Sequence, residues 1–555
     1  MAKSSGVKKP KKQKSIPASA GKRKQSSKDE KGSLIAHWGP LVFLGLSALI
    51  FLQSRLKLLA IPLERDEAGF AYIGHWLFKE KSLYVDMVDN KLPGLYILYG
   101  AFTNLFGYHS TGVHAGLLIA NVASGIFFFF LMRDLFNHFI ASISTAFFLL
   151  LVTSTNVAGF AAHATQLLLP FVLGGWLLFW KGIKTSRKHL FFLAGLLLGI
   201  AFIIKQQSVV FGIVAAGLWW PLRMIWNKNE KGNIPFMEWI LLGIGGLLPL
   251  AAVVIYFAMT GRIDELYFWS YIQPSKLASS FDTSRMDLFR NTFPEVIQDF
   301  IGIWIASLVG LVFIWMSGLK KSSSYFGVLL AIVGLTSVII GAAFYKHYFI
   351  LALPGIALLA AVSLYWITLK TGYTVGLSLA CILMFWPLIA QKEYFFNPDY
   401  NKIHQEAYSE NMFPELEKIG LELSKRVPEG EKIGILGSEP EVLVAANRES
   451  CSKHLFMYPL LSDPETSPAM QQEYIKELQE CFPQYIVWSS TTGSWTIGYD
   501  KLQMFTQLME WVNQNYLTTG IAELTPGAPG TIVWDGAVQS YQPQSEFRVY
   551  VFKRK

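Results

Sequence analysis

The sequence predicts a polytopic α-helical membrane protein of about eleven spans with a C-terminal soluble α/β domain, and three observations carry that expectation. Apolar residues make up 52% of the 555 and charged residues only 16%, more apolar surface than a soluble chain of this size needs. Apolar runs near the 20 or so residues that a helix needs to cross roughly 30 Å of hydrocarbon recur from residue 34 to residue 389. Beyond Glu393 the composition turns to that of a water-soluble module.

The clearest runs are Leu34 to Leu52, Val113 to Leu131, Phe139 to Val157, Met237 to Met259, Phe300 to Met316, Tyr325 to Phe344, Tyr348 to Ile367 and Tyr373 to Ile389. Thr165 to Trp180, Leu190 to Ile204 and Ser208 to Leu222 are weaker, and a long helix broken near Lys205 would also fit the last two. Three regions follow: a basic disordered tail at 1–33, a membrane domain at 34–392 with its first external loop at 61–112, and an extracytoplasmic α/β domain at 393–555.

The net charge of +9 does not indicate nucleic acid, because Lys8, Lys9, Lys11, Lys12, Lys14, Lys22, Arg23 and Lys24 crowd the tail. Such a tail is solvated and suits the cytoplasmic side, where anionic lipid head groups are a further partner. With the tail inside, Arg133, the group Lys181 to Lys188, the group Arg223 to Lys231, Lys320 with Lys321, and Lys370 all fall inside as well, as the positive-inside rule requires. Leu92 to Gly107 is apolar but short and interrupted by Pro93, Gly94 and Gly100. It is therefore placed as an interfacial helix against the outer leaflet; a span there would reverse every later loop. The outside then receives 61–112, 156–164, 205–207, 261–295, 345–347 and everything after Gln391.

In the C-terminal domain, strands are predicted at Lys432 to Gly437, His454 to Tyr458, Tyr485 to Ser489, Thr531 to Trp534 and Arg548 to Lys553. Helices are predicted at Glu439 to Asn447, Gln471 to Glu480 and Leu502 to Tyr516, giving a layered α/β module. Gly437-Ser438-Glu439-Pro440 lacks the further glycines of a dinucleotide fingerprint, so no cofactor is assigned to it. Cys451 and Cys481 are expected as unpaired buried thiols, with pairing open if the domain is extracytoplasmic.

Ionisable residues near lipid are costly and usually have a partner or a task. They gather in the first external loop as Glu64-Arg65-Asp66-Glu67 and as Asp86 with Asp89-Asn90-Lys91. A carboxylate there suits a general base for an acceptor hydroxyl, and Lys91, Lys205 and His347 supply cations at the same boundary for an anionic leaving group. From spacing alone, Asp66 and Glu67 also read as a helix start and Lys91 as a snorkelling side chain. Tyr267, Trp269, Tyr271 and Lys276 lie in an external loop that could cap such a site, although aromatic residues also collect at membrane interfaces without a ligand.

The run DEAGFAYIG at Asp66 to Gly74, followed by VDNKLPGLYILYGAFTNLFG at Val88 to Gly107, resembles the first external loop of bacterial glycosyltransferases related to protein O-mannosyltransferases and the lipid A aminoarabinose transferase, in the GT-C superfamily. FIIKQ at Phe202 to Gln206, HYFILALP at His347 to Pro354 and GSEPEVLVAANR at Gly437 to Arg448 extend the match over most of the chain. The resemblance implies a polyprenyl-phosphate sugar donor and inverting transfer to a hydroxyl on a lipid, glycan or protein. Asp66 is implied as base, Glu67 as positioning acceptor or base, and Lys91, Lys205 and His347 as phosphate contacts. Arg65, Asp89, Asn90, His163, Gln166 and Tyr345 are further candidate substrate contacts.

One stretch departs from the family pattern. Where many relatives carry an Asn-Thr-Glu type run, this chain has His163-Ala164-Thr165-Gln166. A neutral Gln166 replaces no carboxylate as base or ligand, so no metal ligands are assigned and a divalent metal stays open. Two other functions compete: a transporter or flippase of lipid-linked sugars, which predicts mid-span charges and repeated helix halves, and a non-catalytic receptor, for which the loop carboxylates would be dispensable. No internal repeat is apparent, and the charges lie at the outer rim.

Overall fold

The computed structural model describes residues 26–217, 236–279, 284–408, 411–463, 465–495, 502–524 and 530–555. Most of the basic tail, the group Arg223 to Lys231 and the end of the predicted span Ser208 to Leu222 lie outside these residues.

Among the described residues eight helices are long and apolar enough to cross a membrane: Leu34–Lys57, Ser110–Leu135, Ala164–Thr185, Phe236–Met259, Arg285–Met316, Lys321–Ile340, Lys346–Thr371 and Tyr373–Ala390. Three shorter apolar helices, His138–Leu151, Lys188–Ile204 and Gln206–Ala215, stand at the remaining expected spans. The chain is a multi-pass membrane protein. Lipid tails are as apolar as leucine, so helices in lipid associate through close packing rather than through burial from water. Helix Lys188–Ile204 crosses Phe236–Met259 on Gly195, Gly199 and Gly245, where a Cβ would strike the facing backbone. That helix stops at Lys205, whose backbone is extended (φ −154°, ψ 121°), and the turn Gln206–Ser208 restarts the helix at Val209.

The first loop is built on two short helices between α1 (Ser26–Lys57) and the membrane helix that follows it. Helix α2 (Arg65–Leu77) begins with a reciprocal cap. Glu64 accepts from the backbone N–H of Asp66 and Glu67, and Glu67 reaches back to the N–H of Glu64, which satisfies donors that a helix start leaves open. Helix α3 (Pro93–Phe106) starts on Pro93, whose missing N–H costs nothing at that position, and ends at Gly107 with φ +105°. It has 14 residues, and Gly74 of α2 meets its backbone at Tyr96 and Gly100. One side of α3 is thus buried in protein, while Ile97, Leu105 and Phe106 remain exposed. Helices α4 (Ser110–Leu135) and α5 (His138–Leu151) follow, capped by the side chains of His109 and Asn137.

The C-terminal part folds around a five-stranded mixed sheet in the order β1-β2-β5-β3-β4, with β1 (Gly434–Leu436), β2 (Tyr485–Ser489), β3 (Tyr516–Glu523), β4 (Thr531–Trp534) and β5 (Arg548–Arg554). β1 and β2 run parallel, and the other pairs are antiparallel. Helices Pro440–Ala446, Ser467–Cys481 and Gln503–Asn515 fall where the sequence places them.

Three expectations need correction. His454 to Tyr458 is not a strand of the sheet: His454 bridges Val88 of the first loop, and Pro459 starts a helical turn over Tyr458–Leu461. The strand β3 was not expected, because a register shift between Thr518 and Gly520 breaks its alternation. Cys451 and Cys481 are not free thiols but form a disulfide across 30 residues, closing the segment between β1 and the helix Ser467–Cys481 into one loop. Replacing both with serine is expected to cost about 2–4 kcal/mol, read as a lower melting temperature of the purified protein.

Candidate active site

The site grows from the first turn of α2, where three carboxylates lie within four residues. Two of them are engaged in holding the fold. Glu64 caps the helix, accepting from the backbone N–H of Asp66 at 3.1 Å and of Glu67 at 3.0 Å. Glu67, 1% exposed, shares a hydrogen bond of 3.0 Å with His114 Nε2, accepts from the backbone N–H of Ala162 and holds the N–H of Glu64 at 3.3 Å. Burial raises the Glu67 carboxyl, but His114 and the Ala162 N–H outweigh it and hold the group below its ordinary value. Asp66 stands between them, partly exposed, and among the described residues its carboxylate accepts no hydrogen bond.

Cations surround that free carboxylate. Lys91 and Lys205 are both within electrostatic reach of Asp66 and of each other. Burial raises Asp66 above the usual carboxylate range, Asp89 adds to the shift, and Lys91, Arg65 and Lys205 oppose it. Burial, with Lys91 beside it, pushes the Lys205 ammonium down to about 7, and its Nζ sits 4.1 Å from the Tyr348 ring centre. His163 and His347 stack at 3.9 Å between centroids, with Tyr345 stacked beyond His347 at 5.7 Å. His347 lies within electrostatic reach of Lys205 and Lys91, and Tyr345 within reach of Asp66. Asp66, Lys91, Lys205, His163, His347 and Tyr345 therefore share one locale, although they come from four separate segments.

Other expected contacts are turned to different work. Arg65 leaves the site and grips the C-terminal part: its guanidinium donates to Ser438 O at 2.6 Å, Gly493 O at 2.8 Å and Asn411 Oδ1 at 2.8 Å, with Glu439 at 3.5 Å. Gln166 is fully buried. It accepts from Arg55 Nη2 at 3.1 Å and Asn121 Nδ2 at 3.0 Å and donates to the carbonyls of Gly159 and Ala161. Arg55, near the end of α1, also holds the carbonyls of Gly159 and Val152. This pair fixes the loop that delivers Ala162 to Glu67 and His163 to the site. Asp89 is buried, with both oxygens taken by the hydroxyls of Tyr96, at 2.8 Å, and Tyr458. Asn90 is buried too and accepts from Lys91 Nζ.

Sequence reasoning did not single out Glu64, His114, Arg55, Tyr96 or Tyr458. The three-residue spacing of Glu64 and Glu67 is a readable capping signal; the partners contributed by distant segments have no local signature. Glu64, Asp66 and His163 also present ligand atoms within 4.8 Å of one another. His163 Nε2 is buried without a hydrogen-bond partner among the described residues, and burial pushes the ring down to about 4, keeping it neutral. That donor set suits a divalent cation, and Gln166 has no part in it.

Residues 90–257 match the family model of the dolichyl-phosphate-mannose-protein mannosyltransferases. The structure of ArnT from Cupriavidus metallidurans bound to undecaprenyl phosphate aligns with a TM-score of 0.56 at 11% identity, over 93% of this chain and 98% of that one. The fold resembles the GT-C glycosyltransferase fold of that structure. ArnT in the apo state aligns with a TM-score of 0.55 at 11% identity, over 92% and 97% of the two chains. An oligosaccharyltransferase from Archaeoglobus fulgidus aligns with a TM-score of 0.48 at 12% identity, over 91% of this chain and 75% of that one. No curated protein matched the sequence. Within this GT-C fold the family match begins at Asn90, so Lys91 and Lys205 lie inside it and Asp66 precedes it.

If Gln166 is structural, Gln166→Leu strands the hydrogen bonds of Arg55 and Asn121. The expected loss is about 1–3 kcal/mol of stability, measured as a lower melting temperature with KM for either substrate unmoved; a raised KM at full stability would instead make it a substrate contact.

Proposed function

We propose that the protein moves a sugar from a polyprenyl-phosphate carrier to a hydroxyl group on a lipid, glycan or protein acceptor, with inversion and with Asp66 as general base. The observation that carries this reading is the carboxylate of Asp66, which among the described residues accepts no hydrogen bond and lies within electrostatic reach of Lys91 and Lys205 at the rim of the apolar helices. The family match and the likeness to an ArnT structure that holds undecaprenyl phosphate support the choice of donor.

The acceptor oxygen attacks the anomeric carbon while its proton passes to Asp66. The bond from that carbon to the phosphate oxygen breaks, and the lipid phosphate leaves carrying the electron pair. One displacement inverts the anomeric centre. Lys91 and Lys205 neutralise the charge that grows on the leaving phosphate, a term that is often the largest in such catalysis, and His347 adds a polar contact on the same side. A divalent cation, where one binds, would be held by Glu64, Asp66 and His163 and would supply charge beside the acceptor.

The site belongs on the extracytoplasmic face in this reading, with the N-terminus cytoplasmic and the C-terminal domain outside, in a bacterial inner or plasma membrane. Two observations support that placement: the basic loops on the opposite side, and the Cys451–Cys481 disulfide, since such bonds persist in oxidising compartments.

The deciding measurement is transfer from a radiolabelled polyprenyl-phosphate sugar by purified protein. Asp66→Asn is expected to lower kcat by about 10² to 10⁴ at unchanged folding; full transfer by that variant would remove Asp66 from the mechanism. A second test uses pH. Asp66 works deprotonated and its pKa is raised, so kcat/KM should climb with pH through a limb above the usual aspartate range. Lys205 works protonated, so kcat/KM should fall again as pH passes about 7. Lys205→Arg keeps its charge to high pH and is expected to carry the alkaline limb upward. An alkaline limb that stays in place would take Lys205 out of donor binding.

A further inference from the structure

The loop that carries Lys91 is not held by its own membrane domain alone. Asp89 is 1% exposed, and its two carboxylate oxygens accept from two tyrosines of different origin: Tyr96 of α3, at 2.8 Å, and Tyr458 of the C-terminal part. The Tyr96 oxygen in turn accepts from the backbone N–H of Lys91 at 3.3 Å, and Tyr84 donates to the Lys91 carbonyl at 2.5 Å. A continuous chain of hydrogen bonds thus runs from Tyr458 through Asp89 and Tyr96 to the main chain of Lys91. One residue earlier, the Val88 N–H donates to Lys453 O at 3.1 Å, in a parallel bridge to the C-terminal part.

The same C-terminal segment touches the base side of the site. The ring of Phe456, two residues before Tyr458, fills the space over Gly69, where a Cβ would collide with it. Arg65, directly before Asp66, is clamped by Ser438 and Gly493. Ser438 also accepts from the Met457 N–H through its hydroxyl, at 2.8 Å. Segment 456–458 is therefore fixed to α2 on one side and to the Lys91 loop on the other.

Resting on the donor reading given above, we infer that the C-terminal domain is a working part of the donor site: Tyr458 is a positioning residue that sets Lys91 through the buried Asp89. Asp89 is then no substrate contact. Its charge orders two phenol hydroxyls, and those order the lysine. Losing the Tyr458 hydroxyl leaves one oxygen of a buried carboxylate unpaired and lets residues 88–91 relax, which displaces the Lys91 ammonium without removing it.

The test is a double-mutant cycle on full-length protein in nanodiscs, using Tyr458→Phe, Lys91→Ala and their combination. The readouts are binding of polyprenyl phosphate without sugar, KM for the sugar donor and KM for the acceptor. Tyr458→Phe is expected to weaken polyprenyl-phosphate binding and raise the donor KM about ten- to a hundredfold, with acceptor KM unchanged. In the Lys91→Ala background the same change is expected to shift binding less than about threefold, since residues that act through one another are not additive. Asp89→Asn, which keeps both tyrosines, repeats the cycle should Tyr458→Phe not fold. If wild-type protein binds polyprenyl phosphate and Tyr458→Phe binds it equally well, or adds its full loss to that of Lys91→Ala, the inference falls and the donor reading stands. If wild-type protein binds no polyprenyl phosphate, both fall.

Discussion

The cap on α2 is the constraint from which the site follows. A helix start leaves N–H groups without partners and carries a partial positive charge, so carboxylates are favoured there. Here three fall within four residues, and their division of labour depends on direction. Glu64 turns inward to the helix end, Glu67 is braced by His114 and Ala162, and Asp66 accepts no hydrogen bond among the described residues. The brace also ties α2 to α4 and to the 158–163 loop. Any looseness in Glu67 would move Asp66 and His163 together.

That arrangement explains why the gathering of the site was legible in the sequence while the roles inside it were not. Charges close to lipid are rare enough that Asp66, Lys91, Lys205, His163 and His347, each at an end of an apolar run, point to one depth from the sequence alone. Resemblance to a family then sorted them into base and phosphate contacts. Neither argument distinguishes a side chain aimed at substrate from one aimed at its own protein. Arg65 and Asp89 sit beside the most chemically suggestive residues of the loop, yet both are used to join it to the C-terminal part.

Gln166 shows the same limit from the other side. Its neutrality, at a place where relatives carry an acidic residue, reads in sequence as a lost ligand. In the structure its amide satisfies acceptors and donors at once, with Arg55 supplying the positive partner, a task for which an amide is better suited than a carboxylate. The architecture was legible to a similar depth. Long apolar runs gave the spans because lipid enforces their length, whereas β3 and the Cys451–Cys481 pair escaped because a register shift and a distant partner leave no periodic trace.

The electrostatics of the site also give the proposed reaction an order. Before donor binds, Lys91 and Lys205 oppose the burial that raises the Asp66 carboxyl, so it stands above the usual aspartate range but below where burial alone would put it. A phosphate placed on the two lysines cancels much of their field, and the same carboxylate then holds a proton more tightly. Two like charges at close range disfavour the ionised form of each, so the leaving phosphate and the base are coupled through the cations between them. In the proposed reaction Asp66 would thus become the stronger base once donor is bound, and proton transfer from the acceptor would relieve the repulsion that the donor created.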